Sequence, residues 1–215
     1  MIIAVDGPAA SGKGTLARRL AQHYRLAHLD TGGLYRATAL RALLAGGDPA
    51  DPAVAVAAAR AVRLSDVDDA RLRDERVGEA ASVVAAIPAV RETLLGFQRE
   101  FAHHPPGDFT GAVLDGRDIG TAVCPEADAK IFVTATLEAR ALRRFKELQA
   151  DDSGIIYERV LQDMKARDAR DSGRATAPLR RAPDALELDT TGLDADAAFA
   201  AAVAFIAGKL AGRSR

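Results

Sequence analysis

The chain has 215 residues, 48% hydrophobic and 27% charged, with 29 basic and 30 acidic side chains for a net charge of -1. That length and balance suit one folded domain with a full core, and they exclude disorder throughout and a generally basic nucleic-acid binder. One cysteine, Cys124, and four scattered histidines exclude an intramolecular disulfide framework and a multi-cysteine metal site.

Ile2 to Val5 is a short apolar run ending at a glycine loop, and it predicts a buried strand. Helical spacing of Leu16, Ala17, Leu20 and Ala21 predicts a helix over 15–24. A second short strand is expected over 26–29, and a helix over 34–45 that stops at Gly46-Gly47. Asp48 to Pro52 opens a further Ala-rich helix over 54–62. Residues 63–78 are highly charged and lack apolar periodicity, so an irregular excursion or a small hairpin is expected there. Helices follow over 79–86 and 89–103, divided at Pro88. Strands over 112–114 and 130–135, helices over 137–149 and 155–170 joined by Asp151 to Gly154, a strand over 186–188 and a helix over 195–210 complete the pattern. Strands alternating with helices favour a parallel sheet covered on both faces. No run reaches the roughly 18 consecutive apolar residues of a membrane span. Ile2 to Val5 meets Asp6 and Gly7 with no basic stretch before it, so a cytoplasmic protein is expected.

The strongest motif is Gly7-Pro8-Ala9-Ala10-Ser11-Gly12-Lys13-Gly14-Thr15, a G-x-x-x-x-G-K phosphate loop between a strand and an amphipathic helix. Its glycines let successive N–H groups converge on phosphate oxygens, and the helix N-terminus adds its positive dipole end. Lys13 can reach the β- and γ-phosphates. Gly14 stands where the general motif has Ser or Thr. The metal-binding hydroxyl is thus displaced by one position, and Mg²⁺ is expected to be held mainly by phosphates and water.

Four further segments accompany Gly12-Lys13-Gly14-Thr15: Asp30-Thr31-Gly-Gly-Leu-Tyr35-Arg36, Ala81-Ser82 through Pro88 to Arg91, Asp115-Gly-Arg117-Asp118-Ile-Gly-Thr121, and Arg167-Asp-Ala-Arg-Asp171-Ser-Gly-Arg174 with Ala175 to Leu179 after it. Together, in this order, they resemble the bacterial-type cytidylate kinases among the nucleoside monophosphate kinases. The stretch 63–78 departs, being shorter than the family's β insertion. The resemblance implies a three-layer α/β/α domain of the P-loop NTPase type over 1–215, with a parallel sheet of about five strands. A monophosphate-binding region is expected near 30–105 and a lid near 143–174. It also implies transfer of the ATP γ-phosphoryl group to CMP or dCMP in pyrimidine nucleotide metabolism, with Mg²⁺ accompanying ATP. A monomer is expected, with neither nucleic-acid nor membrane partners.

Such a transfer needs positioned cations more than an acid or base. Between Arg140 and Arg181 the chain has 11 basic and 7 acidic residues. On composition alone this is a solvated basic helix face; the resemblance makes it a lid, with Arg140 and Arg143 on its first arm. By resemblance Lys13, Arg117 and Arg174 are catalytic. Asp118 accepts from the cytosine amino group, and Ser82 and Arg91 serve the polar base edge. Arg36, Arg117 and Arg174 hold the acceptor phosphate, a task suited to the planar guanidinium fork. Thr31 and Tyr35 line that pocket, and Arg167 and Asp171 bind the sugar. Ser82 and Tyr35 also have plain packing readings. Asp115, at the end of an apolar strand, is placed to hold metal-bound water, and Asp118 is close enough to exchange roles with it. Asp30 is expected to cap the helix after it. His103, His104 and Cys124 read as structural or exposed. Rivals are an adenylate or uridylate kinase, a P-loop switch without a metabolite acceptor, and a nucleic-acid binder using the basic arm.

Overall fold

The apolar β runs pair side by side because each is too short and too buried to satisfy its backbone alone. The computed structural model describes residues 1–150, 154–174 and 176–213. The joint over 151–153 and Ala175 of the predicted segments lie outside the described residues. Five parallel strands, β1 (Ile2–Asp6), β2 (Ala27–Asp30), β3 (Ala112–Gly116), β4 (Ala129–Thr134) and β5 (Leu186–Asp189), form one sheet in the order β2-β3-β1-β4-β5. The expected parallel α/β architecture is therefore present, with a phosphate loop leaving its central strand.

Helix α1 (Lys13–Tyr24) and the C-terminal helix α8 (Ala195–Arg213) cover one face. Ile3, Val5, Val113, Ile131 and Val133 meet Leu16, Leu20 and Ile206 there. Part of α8, Ala195–Gly212, is long and apolar enough by composition to cross a membrane. In the fold its Ala198, Ala202 and Ile206 instead join that core. Ala4, Leu29, Ala112 and Leu114 alternate to the other face, as period-two geometry requires. They pack with α2 (Thr31–Leu44), α3 (Pro52–Arg60), α4 (Glu75–Val84) and α5 (Pro88–His103). Helices α4 and α5 meet at a bend of 100°, with Pro88 in the first turn of α5.

Residues 63–78 form no hairpin. They make two 3₁₀ turns, Leu64–Asp68 and Ala70–Arg73, and then enter α4 four residues earlier than the sequence pattern predicts, at Glu75 rather than Glu79. The cause is aspartate spacing. Asp66 accepts from the Arg63 N–H, Asp69 from the Arg71 N–H and Asp74 from the Arg76 N–H, each at 2.8 Å. Such local bonds compete with strand pairing. Val67 and Leu72 are drawn onto the core beneath.

Helices α6 (Leu137–Gln149) and α7 (Tyr157–Gly173) form a separate arm. It has its own small core of Ala141, Val160 and Met164, with Phe145 and Tyr157 edge to face at 5.9 Å. Ala9 and Ala10 of the phosphate loop pack against it.

Candidate active site

The carboxyl ends of β1, β3 and β4 deliver loops that meet at one edge of the sheet, where Arg117 and Arg140 both donate to the phosphate loop, the usual ligand edge of such a sheet. Gly7 has φ +155, and a Cβ there would lie 2.1 Å from the Val133 carbonyl oxygen, so only glycine fits. Gly12 has φ +89 and caps α1 without a side chain, leaving the first N–H groups of the helix facing the loop. Lys13 lies over this cradle, its Nζ donating to the Pro8 carbonyl at 3.3 Å. Burial, and then the neighbouring Arg117 charge, lower its pKa from the ordinary 10.5 to about 7.

Asp115, the next-to-last residue of β3, lies beside Gly14. Its Oδ2 lies 3.1 Å from where a Gly14 Cβ would stand, and its buried Oδ1 has no hydrogen-bond partner among the described residues. The space that a serine or threonine would occupy in the general motif is therefore held by a carboxylate. A buried carboxylate oxygen without a partner next to a phosphate cradle is a donor set that fits a hard, water-bearing divalent cation.

Opposite the cradle, Arg91 and Asp118 form an ion pair at 2.5 Å, with side chains only 8% and 9% exposed. The Arg91 guanidinium lies 5.5 Å from the centre of the Tyr35 ring. Ser82 on α4 is buried, and its hydroxyl has no partner among the described residues. Arg117 joins the two sides: Nη1 donates to the Gly7 carbonyl at 2.9 Å and Nε to Asp171 at 2.8 Å. Asp171 also pairs with Arg174. Burial would raise the Asp171 pKa, but Arg117 and Arg174 hold it below the usual carboxylate range. Arg167 is packed among like charges; burial, and then Arg117, lower its pKa to about 10, and its Nε lacks a partner among the described residues.

Other expected residues serve neighbouring contacts. Asp30 caps α2, accepting from Gly33 N at 3.2 Å, and also pairs with Arg36 at 2.5 Å. The Thr31 hydroxyl donates to the Asp115 carbonyl at 2.8 Å and ties α2 to β3. Arg140 lies at the root of the arm, paired with Asp168 at 2.6 Å and donating to the Ala9 carbonyl at 3.3 Å. Arg143 donates to the Thr190 carbonyl at 2.5 Å and to its hydroxyl at 3.1 Å. A cavity of about 170 Å³ next to Gly12 and Thr15 is lined by Arg143, Thr190 and Leu193. The sequence reading missed Thr190 and Leu193; their one signal was position, just after the last strand at the ligand edge. A wider cleft of about 540 Å³ between Asp48, Arg76, Glu79 and Arg170 shares no residue with this cluster.

A phosphate loop on the central strand of a parallel sheet, joined through Arg117 to a partly buried cluster of arginines, defines a P-loop kinase of small phosphorylated acceptors. The chain matches the family described as cytidylate kinase over residues 3–207, and it belongs to that family. It is 56% identical over 209 residues to a cytidylate kinase of Rhodospirillum rubrum, covering 97% of this chain and 98% of that one. It is 59% identical over 206 residues to one of Methylocella silvestris, covering 96% and 94%. A crystal structure of an uncharacterized protein from Eubacterium ventriosum shares the fold, with a TM-score of 0.57 at 15% identity over 96% of this chain and 98% of that one.

Proposed function

We propose that the two sides of this cluster hold the two substrates of a single phosphoryl transfer. The chain is a nucleoside monophosphate kinase that moves the γ-phosphoryl group of ATP to CMP or dCMP, giving ADP and CDP or dCDP. A phosphate oxygen of the monophosphate forms the new P–O bond as the bond from the γ-phosphorus to the β,γ-bridging oxygen breaks. The observation that carries the division of roles is the adjacency of Arg117 and Asp118. Arg117 is bonded to the phosphate loop through Gly7, and Asp118 is bonded to Arg91 in the second pocket.

The residues then have these tasks. Gly7 through Thr15 cradle the ATP phosphates, and Lys13 faces the transferring group. Arg36, Arg117 and Arg174 draw the acceptor phosphate toward it and spread charge from its oxygens. Asp118 accepts from the cytosine amino group, with Arg91 and Ser82 on the polar edge and Tyr35 flanking. Arg167 and Asp171 hold the sugar. Thr31 lines the acceptor pocket, its hydroxyl oriented by the bond to the Asp115 carbonyl. The cavity by Arg143 and Thr190 takes the donor base, and the α6–α7 arm is the lid that excludes water. Asp115, with its unpartnered buried Oδ1, would hold Mg²⁺ arriving with ATP through water, and the ion would supply neutralisation of phosphate charge. We read the chain as one kinase domain, monomeric and cytoplasmic, with nucleotides rather than nucleic acid or membrane as its partners.

A coupled assay of ADP formation with ATP·Mg²⁺ and CMP, dCMP, UMP, AMP or GMP tests this. Strong turnover confined to CMP and dCMP is expected. Preference for another monophosphate would overturn the role given to Asp118, and no turnover from folded, ATP-binding protein would favour a nucleotide switch.

A further inference from the structure

Asp6, the last residue of β1, is buried and immediately precedes the phosphate loop. Its Oδ1 accepts from the Ile119 N–H and its Oδ2 from the Gly120 N–H, both at 2.7 Å. These two amides open a single π-helical turn, Ile119–Val123, that begins just after Asp118. The Asp118 carbonyl closes the same turn by accepting from Ala122 N at 2.8 Å and Val123 N at 3.2 Å. One residue further on from Asp6, Gly7 N donates to the Gly116 carbonyl at 3.3 Å, and the Gly7 carbonyl receives Arg117. The segment 116–120 is thus fastened to the end of β1 at four points.

No cation is bonded to Asp6 among the described residues. The chain of Lys130 passes close by Gly120, but its ammonium is bonded to Asp184 at 3.0 Å. A buried carboxylate held by backbone amides alone is costly, and a hydroxyl or amide in its place would serve only one of the two N–H groups. Burial raises its pKa to about 7 and the Asp118 charge adds to the rise, against both amides and Arg117, so the carboxylate with its two acceptors is the main form above that pH. What the carboxylate supplies, and a neutral side chain does not, is two acceptors on one rigid plane. That plane fixes the rotation of the turn, and with it the direction in which the Asp118 and Arg117 side chains leave the backbone.

We infer that Asp6 is a positioning residue for acceptor recognition, aiming Asp118 at the cytosine base and Arg117 at the transferring phosphate from a point fixed to the donor loop. The inference rests on the base-reading role given to Asp118. Asp6 touches neither substrate; it couples the geometry of the donor side to that of the acceptor side. Small errors of aim at the reacting centre are expensive, so the effect is expected in substrate discrimination and not only in stability.

The test compares Asp6→Asn, Gly120→Ala and Asp118→Asn with the parent chain. The measurements are kcat and KM for CMP and UMP, KM for ATP, and thermal unfolding. Gly120→Ala crowds the same turn through its other neighbour, since its Cβ would stand 3.1 Å from Lys130 Cδ and 3.3 Å from Lys130 Cγ, while Asp6 Oδ2 at 3.4 Å is in ordinary contact. It serves if Asp6→Asn does not fold. Asp6→Asn is expected to raise KM for CMP about tenfold and to lower the preference for CMP over UMP, while KM for ATP stays within about twofold. Gly120→Ala is expected to shift the same ratio in the same direction. Asp118→Asn losing the preference while both joint variants keep it, whatever their melting temperatures, would overturn the role of Asp6 alone. Asp118→Asn keeping the preference would overturn the base-reading role and this inference with it.

Discussion

Gly14 and Asp115 compete for one position: a methyl group on Gly14 would stand 3.1 Å from the Asp115 carboxylate, closer than ordinary packing allows. The glycine in the phosphate loop is thus the counterpart of an acid at the end of β3. Gly14→Ala should gain helix propensity in the first turn of α1 and lose a similar amount to crowding of Asp115, leaving the melting temperature little changed. It should also push Asp115 off its place and lower kcat about tenfold. Steady-state kinetics beside a melting curve checks both halves. An unchanged kcat would show that the acid has no part in the transfer.

The Arg91–Asp118 pair makes a stability prediction that is independent of catalysis. Both side chains are almost wholly buried. Asp118→Ala leaves the Arg91 charge buried with only the Ala85 carbonyl, 3.4 Å away, as a remaining bonded neighbour among the described residues. The expected loss is about 3–5 kcal/mol in urea unfolding. The double variant Arg91→Met, Asp118→Leu should recover most of that loss yet stay inactive on CMP. If the double variant were as unstable as the single one, the pair would owe its stability to geometry rather than to charge.

Much of the framework was readable because its signals are local. Ile2 to Val5 is a continuous apolar run, the phosphate loop spans nine adjacent residues, and aspartate and proline mark several helix starts. Even the missed 3₁₀ turns over 64–73 carried a local signal, in the spacing of Asp66, Asp69 and Asp74. What could not be read is the pairing of charges across the chain. Arg117 meets Asp171 54 residues away, Arg143 meets Thr190 47 residues away, and Asp6 meets Ile119 113 residues away. Of the arginines that look like a free cationic set in the sequence, Arg36, Arg91, Arg117, Arg140, Arg143 and Arg174 are each held by a particular acid or carbonyl. Periodicity decides which face of an element is buried, whereas these partners are decided only when the strands order themselves in the sheet.

Lys13 should make nucleotide binding depend on protons. Without ligand its pKa is lowered to about 7 by burial and by Arg117. Between about 7 and the unfolded value of 10.5 the unfolded chain holds more protons at this group, so its contribution to stability rises with pH across that window. The phosphates of ATP favour the charged ammonium instead. At pH 8 ATP binding should therefore take up a fraction of a proton, and Lys13→Met should abolish the uptake. Calorimetry in two buffers of different ionisation enthalpy measures it directly. Equal apparent enthalpies for the parent chain would show that Lys13 is already fully charged before ATP arrives.

Arg140 links the arm to the donor loop, because the same guanidinium pairs with Asp168 on α7 and donates to the Ala9 carbonyl. It therefore registers both helices of the arm against the loop that holds the phosphates. Asp168→Ala frees α7 from this link but leaves Arg140 its bonds to the Ala9 and Ala135 carbonyls. The phosphate cradle should survive, while closure of the arm becomes looser. Two effects separate that outcome from simple loss of affinity. KM for ATP should rise by several-fold, about the scale of a partly exposed ion pair. ADP release in the absence of any monophosphate should also increase, because a loosely closed arm admits water to the γ-phosphoryl group. A rise in KM without added hydrolysis would mean that the pair only shapes the ATP site, and that water is excluded by other contacts of the arm.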